Sequence, residues 1–139
     1  MKVKKVVEVN THYSFEAPIL PAGKHGKVIP LEELNLQLDL NHYLVPNPKN
    51  IFLVRVSGES MIDKNILDGD ILIVDKNEKP GNGKIVIAAL NGEMAVKTFS
   101  EVDGKILLIS ANHKFLPIEI EDLMEFQIQG VVKHVIRSI

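Results

Sequence analysis

Short turn sequences divide this chain after Asn50 into a series of apolar segments. The turns are Asp68-Gly69, Gly81-Asn82-Gly83, Asn91-Gly92 and Asp103-Gly104. Asn-Gly and Asp-Gly between apolar segments are the strongest local signals for tight β-hairpins. The segments predict six strands, at residues 51–56, 70–75, 84–90, 93–100, 105–110 and 126–136. Strands this closely spaced leave little room for helices, so we expect a mostly β fold, a small antiparallel sandwich or partly closed barrel.

Prolines concentrate in the N-terminal third of the chain. Five of the seven fall within residues 1–48. Because proline breaks helices and favours extended backbone, we expect residues 1–48 to form an extended arm and linker. Residues 49–139 are then a single β-rich domain, which fits a chain of 139 residues.

Composition excludes several classes of function. The chain has 18 acidic against 16 basic residues and no basic block, which argues against sequence-specific nucleic-acid binding by this chain alone. It has no cysteine, and its five histidines show no metal-ligand spacing, so we expect neither a metal nor another cofactor. The sequence contains no signal peptide and no membrane-length apolar segment, so we expect a cytoplasmic protein without membrane contact.

Lys97 is the most informative single residue. If Asn91-Gly92 forms a two-residue hairpin turn, Val86 falls opposite Lys97, in an apolar patch that includes Ala88, Ala95 and Phe99. Burial there disfavours the ammonium form and lowers the pKa of the lysine, as a general base requires. The alternative is that Lys97 extends past the patch and keeps its amine in solvent.

Ser60 follows the first predicted strand of the β-rich domain. Gly58 permits a sharp bend just before it, and such a bend can direct the backbone N–H groups of Glu59 and Ser60 at one point as an oxyanion hole. A serine nucleophile can be activated by a neutral lysine. The alternative is that Ser60 caps a short helical turn that starts at Met61.

The wider pattern adds a family resemblance. Residues 57–70, Ser-Gly-Glu-Ser-Met-Ile-Asp-Lys-Asn-Ile-Leu-Asp-Gly-Asp, followed by Val74-Asp75 and a hairpin that ends in Val96-Lys97, resemble the nucleophile region of the LexA/UmuD self-cleaving peptidases. The resemblance implies a fold of the LexA C-terminal-domain type, with Ser60 as the nucleophile and Lys97 as the general base. It also implies that a further set of residues shapes the nucleophile loop: Met61, Asp63, Asp68, Gly69 and Asp70.

The same resemblance implies a cleavage site. Members of this family cut themselves in the N-terminal arm, between a small residue and glycine. Ala22-Gly23 is the best match, and His25-Gly26 is the second candidate. A plain turn at Pro21-Ala22-Gly23 suits these residues equally well.

The subtype follows from the arm. Residues 1–48 are too short and too rich in proline for a helix-turn-helix domain, and Leu38-Asp39-Leu40-Asn41 matches members that lack one. The resemblance then implies a homodimer whose cleavage a RecA–single-stranded-DNA filament stimulates. The cleaved product joins a Y-family polymerase catalytic subunit in translesion synthesis during the SOS response. The rival interpretation is a binding adaptor of the same fold without proteolysis.

Overall fold

The computed structural model describes residues 1–8, 16–17 and 38–139. The chain divides into two compact units, Met1–Val9 with Asn50–Ile139, and Asn10–Lys49. The elements in chain order are β1 (Lys2–Glu8), β2 (Glu16–Ala17), β3 (Leu38–Asp39), α1 (Leu40–Leu44), β4 (Ile51–Ser57), β5 (Ile71–Asp75), β6 (Ile85–Leu90), β7 (Glu93–Val102), β8 (Lys105–Ile109), β9 (Ile118–Glu119) and β10 (Phe126–Ile136), with 3-10 turns at Pro48–Asn50 and Ile62–Lys64.

Eight of these strands form one antiparallel sheet, in the order β1-β4-β5-β10-β6-β7-β8-β9. A further pairing of Lys2 with Ala95 joins β1 to β7 and partly closes the sheet into a ring. The predicted mostly β, antiparallel fold is therefore confirmed. Among the described residues, no helix has the length and apolarity needed to cross a membrane.

The predicted strands agree with the observed ones to within two residues at every end. The hairpin register is also confirmed, because Leu90 pairs with Glu93 and Val86 pairs with Lys97. Asn91 and Gly92 both adopt positive φ, 49° and 84°. Two consecutive left-handed residues are what a type I′ turn requires.

Strand β1 is the main departure from the predicted organisation. It pairs with β4 from Lys2↔Ser57 to Glu8↔Phe52, so the segment Met1–Val9 belongs to the same unit as Asn50–Ile139 and not to a separate arm. The boundary predicted at residue 49 lies next to the observed one at Asn50. A strand rich in β-branched valine adds readily to a sheet edge. The division into an arm at 1–48 and a domain at 49–139 stays a prediction.

The unit Asn10–Lys49 contains a short antiparallel pair, in which Glu16 lies opposite Asp39 and Ala17 opposite Leu38. The Asp39 carboxylate accepts hydrogen bonds from the backbone N–H groups of Asn41 (2.9 Å) and His42 (3.3 Å), which caps α1. Ala22-Gly23 and His25-Gly26 lie outside the described residues. The role of this segment as a cleaved arm stays a prediction.

Strand β10 joins the two halves of the larger unit. Val131–Ile136 pairs with β5, and Phe126–Val131 pairs with β6. The unit has two buried clusters, one around Val56 and Met61, which also takes in Ile87 of β6 and Val96 of β7, and the other around Val86 and Phe99. The first half carries the loop after β4 that holds Ser60, and the second carries Lys97 on β7.

Candidate active site

Ser60 lies in the loop between β4 and β5, and only 2% of its surface is exposed. Gly58 precedes it with φ +99°, a conformation that an L side chain rarely adopts. The N–H of Gly58 donates a 2.9 Å hydrogen bond to the Asp68 carboxylate at the other end of the loop. The predicted bend is therefore present, and Asp68 holds it closed.

The base of this loop is fixed by a buried carboxylate. Asp70 is 1% exposed and accepts from the N–H of Leu67 at 2.8 Å. Arg137 donates to both oxygens of Asp70, through Nε at 2.7 Å and Nη2 at 2.6 Å. The hydrogen bond from Arg137 is the main reason why the pKa of Asp70 lies below its ordinary value. The loop is thereby tied to β10 and the C-terminal residues.

The centre of the loop is anchored to the segment after β8. Met61 is fully buried, and its sulfur accepts from the N–H of Ala111 at 3.4 Å. The N–H of Asp63 donates to the carbonyl of Ala111 at 2.8 Å. The turn Ile62–Lys64 has Met61 at its N-cap position and no side-chain capping bond, so the alternative in which Ser60 caps this turn is wrong.

Lys97 lies on β7, opposite Val86, with 8% of its surface exposed. Burial lowers its pKa below the ordinary lysine value. Its Nζ donates a 2.6 Å hydrogen bond to the Ser110 hydroxyl and lies 5.8 Å from the centre of the Phe115 ring. The alternative of a solvent-exposed lysine is therefore wrong.

The amino group of Met1 also belongs to this site. It donates a hydrogen bond to Ser60 Oγ, and the Met1 carbonyl accepts from the N–H of Val96 at 2.8 Å. Burial, and then the charge of Lys97, lower the pKa of this amino group to about 6. Met1 thus contacts Ser60 directly and is affected by the charge of Lys97, while a direct hydrogen bond between Ser60 and Lys97 stays a prediction for the reacting state.

The orientation of the peptide bond between Glu59 and Ser60 is fixed by hydrogen bonds to the Glu59 carbonyl. The Glu59 carbonyl accepts from the N–H of Ile62 at 3.2 Å and from the side-chain amide of Asn112 at 3.0 Å. In a trans peptide the N–H points opposite to the carbonyl, so these bonds also fix the direction of the Ser60 N–H. An oxyanion hole formed by the N–H groups of Glu59 and Ser60 stays a prediction.

Three residues at this site were not predicted: Met1, Ser110 and Asn112. Ser110 and Asn112 follow the apolar strand β8, and Asn112 is 7% exposed. Two polar residues directly after an apolar strand are a weak signal, since such positions are usually solvated turns. Among the described residues, no group of three or more acidic or histidine side chains is placed to hold a metal ion. His12 and His25 lie outside that part of the chain.

The comparison with known proteins gives the family. A model described as Peptidase S24-like matches residues 20–133, which is more than half of the chain. The chain belongs to the Peptidase S24-like family. The resemblance of residues 57–70 to self-cleaving peptidases of the LexA/UmuD type is therefore confirmed at the level of this family.

The relatives of this S24-like chain include several LexA repressors. The repressor of Photorhabdus laumondii subsp. laumondii is 40% identical over 120 residues, which covers 81% of this chain and 59% of the repressor. That of Clostridium novyi is 36% identical over 106 residues, covering 76% and 52%. That of Carboxydothermus hydrogenoformans is 40% identical over 111 residues, covering 78% and 53%. The chain spans between half and three-fifths of the length of these relatives.

Proposed function

We propose that this chain is a self-cleaving serine peptidase in which Ser60 is the nucleophile and Lys97 is the general base. The observation that carries the proposal is that two buried side chains interact with the amino group of Met1, Ser60 through a hydrogen bond and Lys97 through its charge. One is a hydroxyl that is 2% exposed, and the other is an amine that is 8% exposed and whose pKa burial lowers. A neutral amine beside a buried hydroxyl is the arrangement that Ser–Lys catalysis requires.

The reaction proceeds in two proton-balanced steps. Neutral Lys97 takes the proton of Ser60 Oγ as that oxygen attacks the scissile carbonyl carbon, and the backbone N–H groups of Glu59 and Ser60 bind the resulting oxyanion. The Lys97 ammonium then gives its proton to the departing amine, which leaves an ester on Ser60. Water then gives a proton to neutral Lys97 as it attacks the ester carbon, and the Lys97 ammonium returns that proton to Ser60 Oγ as the ester C–O bond breaks and the carboxylic acid leaves.

The scissile bond we propose is Ala22-Gly23, because a small residue and a glycine bring the backbone close to Ser60 without steric conflict. A cavity of about 450 Å³ lies beside the nucleophile loop, lined by Gly58, Glu59, Ile62, Leu67 and Asp68. Its lining includes the apolar side chains of Ile62 and Leu67, so we propose that it accepts residues that flank the scissile bond.

The test is incubation of the purified full chain at pH 7 to 10 with mass spectrometry of the products. We expect a cut after Ala22, and no cut in Ser60→Ala or Lys97→Ala. Ser57→Ala is the matched control, since Ser57 lies in the same segment at the end of β4, where it pairs with Lys2. Cleavage of Ser60→Ala at the rate of the unaltered chain would contradict the proposal, and a cut after His25 would move the scissile bond.

The finer proposal is that this is a UmuD-type protein of the SOS response. The cleaved product would be the accessory subunit of an error-prone translesion polymerase, acting in the cytoplasm as a homodimer. A RecA–single-stranded-DNA filament would stimulate cleavage by seating the scissile segment against Ser60. The match of Leu38-Asp39-Leu40-Asn41 to this subtype supports the proposal, and the names of the LexA repressors point to the other branch of the family.

Two measurements distinguish these branches. For a UmuD-type protein, RecA filaments accelerate the cut, and the product co-purifies with a Y-family polymerase catalytic subunit. Tight binding of the chain to a repressor operator in a gel-shift assay, with no association with the polymerase, would contradict the UmuD-type assignment. It would leave the peptidase proposal intact.

A second candidate function is a non-catalytic adaptor of the same fold. The observation that favours it is that the hydrogen bonds of Ser60 and Lys97 go to Met1 and Ser110, and not to each other. An adaptor would bind a RecA filament or a polymerase equally well with Ser60 and Lys97 both replaced by alanine. It would also show no cleavage with filament present at any pH between 6 and 11.

A further inference from the structure

Ser110 contacts the amine that the proposed function makes a base. It lies directly after the last residue of β8, and its hydroxyl accepts the 2.6 Å hydrogen bond from Lys97 Nζ. Ser110 and Lys97 are 13 residues apart in the sequence, and the pairing of Thr98 with Ile109 between β7 and β8 brings them side by side. The contact is therefore set by the register of β7 and β8.

The two residues after Ser110 are hydrogen-bonded to the loop that carries Ser60. The N–H of Ala111 donates to the Met61 sulfur, and its carbonyl accepts from the N–H of Asp63. The Asn112 amide donates to the carbonyl of Glu59. Three consecutive residues thus connect the lysine to the loop that carries Ser60, so the hydroxyl of Ser110 has a fixed position relative to the nucleophile.

We propose that Ser110 is a positioning residue for Lys97, and that it holds the amine with its lone pair available to Ser60. This inference rests on the proposed Ser60–Lys97 peptidase. A neutral lysine amine has two N–H bonds and one lone pair in a tetrahedral arrangement. When the Ser110 oxygen accepts one N–H, it removes most of the rotational freedom about the last bond of the side chain. The lone pair is then limited to two staggered directions, and on this proposal one of them faces Ser60.

Ser110 also affects the protonation of Lys97. The ammonium form has three N–H donors, and loss of an acceptor in a site this buried disfavours the charged form further. The charged group that acts on Lys97 is the amino group of Met1, which directly precedes β1. The other neighbours of Lys97 described above are uncharged. They are Val86 on β6 and Phe115 in the segment between β8 and β9. Ser110→Ala should therefore lower the pKa of Lys97, which a purely structural role of Ser110 would not do.

The test compares Ser110→Ala with Ser110→Thr, which keeps the hydroxyl. Ser100→Ala is the matched control, since Ser100 lies on β7 three residues after Lys97, where it pairs with Leu107. We expect Ser110→Ala to cut about 10- to 100-fold more slowly at its alkaline plateau, the usual loss when a reacting group is misplaced. The midpoint of its pH profile should move to lower pH. Ser110→Thr should recover both rate and midpoint, and Ser100→Ala should change neither.

A second measurement needs no cleavage. The pKa of Lys97 can be followed by NMR of a ¹³C-labelled lysine side chain in the Ser60→Ala background, with Lys97→Arg to assign the signal. A lower pKa on adding Ser110→Ala supports the inference. A wild-type rate and an unchanged pKa in Ser110→Ala, or a slower rate that threonine does not recover with the pKa unchanged, would overturn it. If the unaltered chain does not cut at all, the proposed function is wrong, and that result is distinct from a failure of Ser110 alone.

Discussion

Gly130 lies where β10 passes from its pairing with β5 to its pairing with β6, and the register of β10 on β6 shifts between Ile128 and Gly130. A Cβ added at this position would lie 2.6 Å from Val74 Cγ1 and 2.7 Å from the carbonyl oxygen of Asp75. Val74 is fully buried, and Asp75 pairs through its backbone with Val131. Neither neighbour can move without disturbing the core or the sheet, so Gly130→Ala should be strongly unfavourable.

The magnitude follows from two opposing effects. Inserting a methyl group into a well-packed site costs about 1–3 kcal/mol, and more where the backbone has to shift. Replacing glycine by alanine at a compatible position gains only about 0.4–1 kcal/mol, because the unfolded chain has fewer conformations. The φ of Gly130 is not in the left-handed region, so the loss is steric and not conformational. We expect a net destabilisation of about 1–2 kcal/mol.

The assay is urea denaturation followed by circular dichroism. Since the slope for a domain of this size is about 1–3 kcal/mol per molar urea, the midpoint should fall by roughly 0.5–1 M. Gly81→Ala is the matched control, because its added Cβ would meet only Lys84 Cγ at 4.0 Å and its φ is not positive. Gly81→Ala should be neutral or slightly stabilising. A midpoint for Gly130→Ala equal to or above that of Gly81→Ala would refute the reasoning.

The same substitution should affect the site. Strand β10 is the connection between β5, which follows the nucleophile loop, and β6, which pairs with the strand of Lys97. Strain at Gly130 therefore acts on the separation of Ser60 and Lys97. In folded Gly130→Ala, self-cleavage per folded molecule should be slower than in the unaltered chain.

Two further predictions concern buried charges. Lys97→Met should be as stable as the unaltered chain or more stable at pH 7, since a lowered folded-state pKa means that burial penalises the ammonium below that pKa. The penalty fades as the pH rises, so urea midpoints of the two proteins should converge toward pH 10, and a large loss of stability at pH 7 would contradict this reasoning. Asp70→Asn should destabilise at pH 7, because it removes the charge that Arg137 binds while an oxygen remains for the Leu67 N–H. The pKa of Asp70 is lowered in the folded state, so its contribution is present above about pH 3.9, the unfolded value, and is lost as the pH falls through the folded value. If the difference in urea midpoint between the unaltered chain and Asp70→Asn were the same at pH 7 and pH 2.5, that result would contradict this role of the Asp70 charge.

The sequence predicted most of the sheet because its strands are bounded by local signals. Asn91-Gly92 determines the β6–β7 register by itself, and that register fixes Val86 opposite Lys97. Burial of Lys97 follows from this register and the apolar neighbours on the same face. Gly58 and Ser60 were likewise recognisable as a bend before a polar residue, without knowledge of distant contacts.

Strand β1 was not predicted because its pattern is irregular. A register shift between Val3 and Lys5 interrupts the alternation that identifies a strand, so Val6 and Val7 are both exposed. The contacts that complete the site were hidden for a different reason. Asn112 reaches Glu59 across 53 residues and Arg137 reaches Asp70 across 67 residues, and no local periodicity encodes such pairs.

The pH dependence of cleavage should combine two titrations with opposite effects. Deprotonation of Lys97 activates Ser60, so the rate should rise with pH through the folded-state pKa of Lys97, which burial lowers. A scissile segment must also displace the Met1 amino group, whose pKa falls from 8.0 to about 6 when it is bound to Ser60. Bound Met1 holds fewer protons than released Met1 between these values, so its binding strengthens as the pH rises from 6 to 8 and is constant above 8.

Met1 should therefore flatten the rate profile between pH 6 and 8, and any rise above pH 8 belongs to Lys97 alone. Acetylation of the Met1 amine by a co-expressed N-terminal acetyltransferase removes the titration of Met1 and leaves that of Lys97. The ratio of the acetylated to the unmodified rate should grow from pH 6 to 8 and then stay constant up to pH 11. Lys97→Arg provides the control, since it cannot lose its proton in this range and should not cut in either form. A flat profile for the acetylated chain would show that lysine deprotonation does not control the reaction, and a ratio that keeps growing above pH 8 would contradict the role given to Met1.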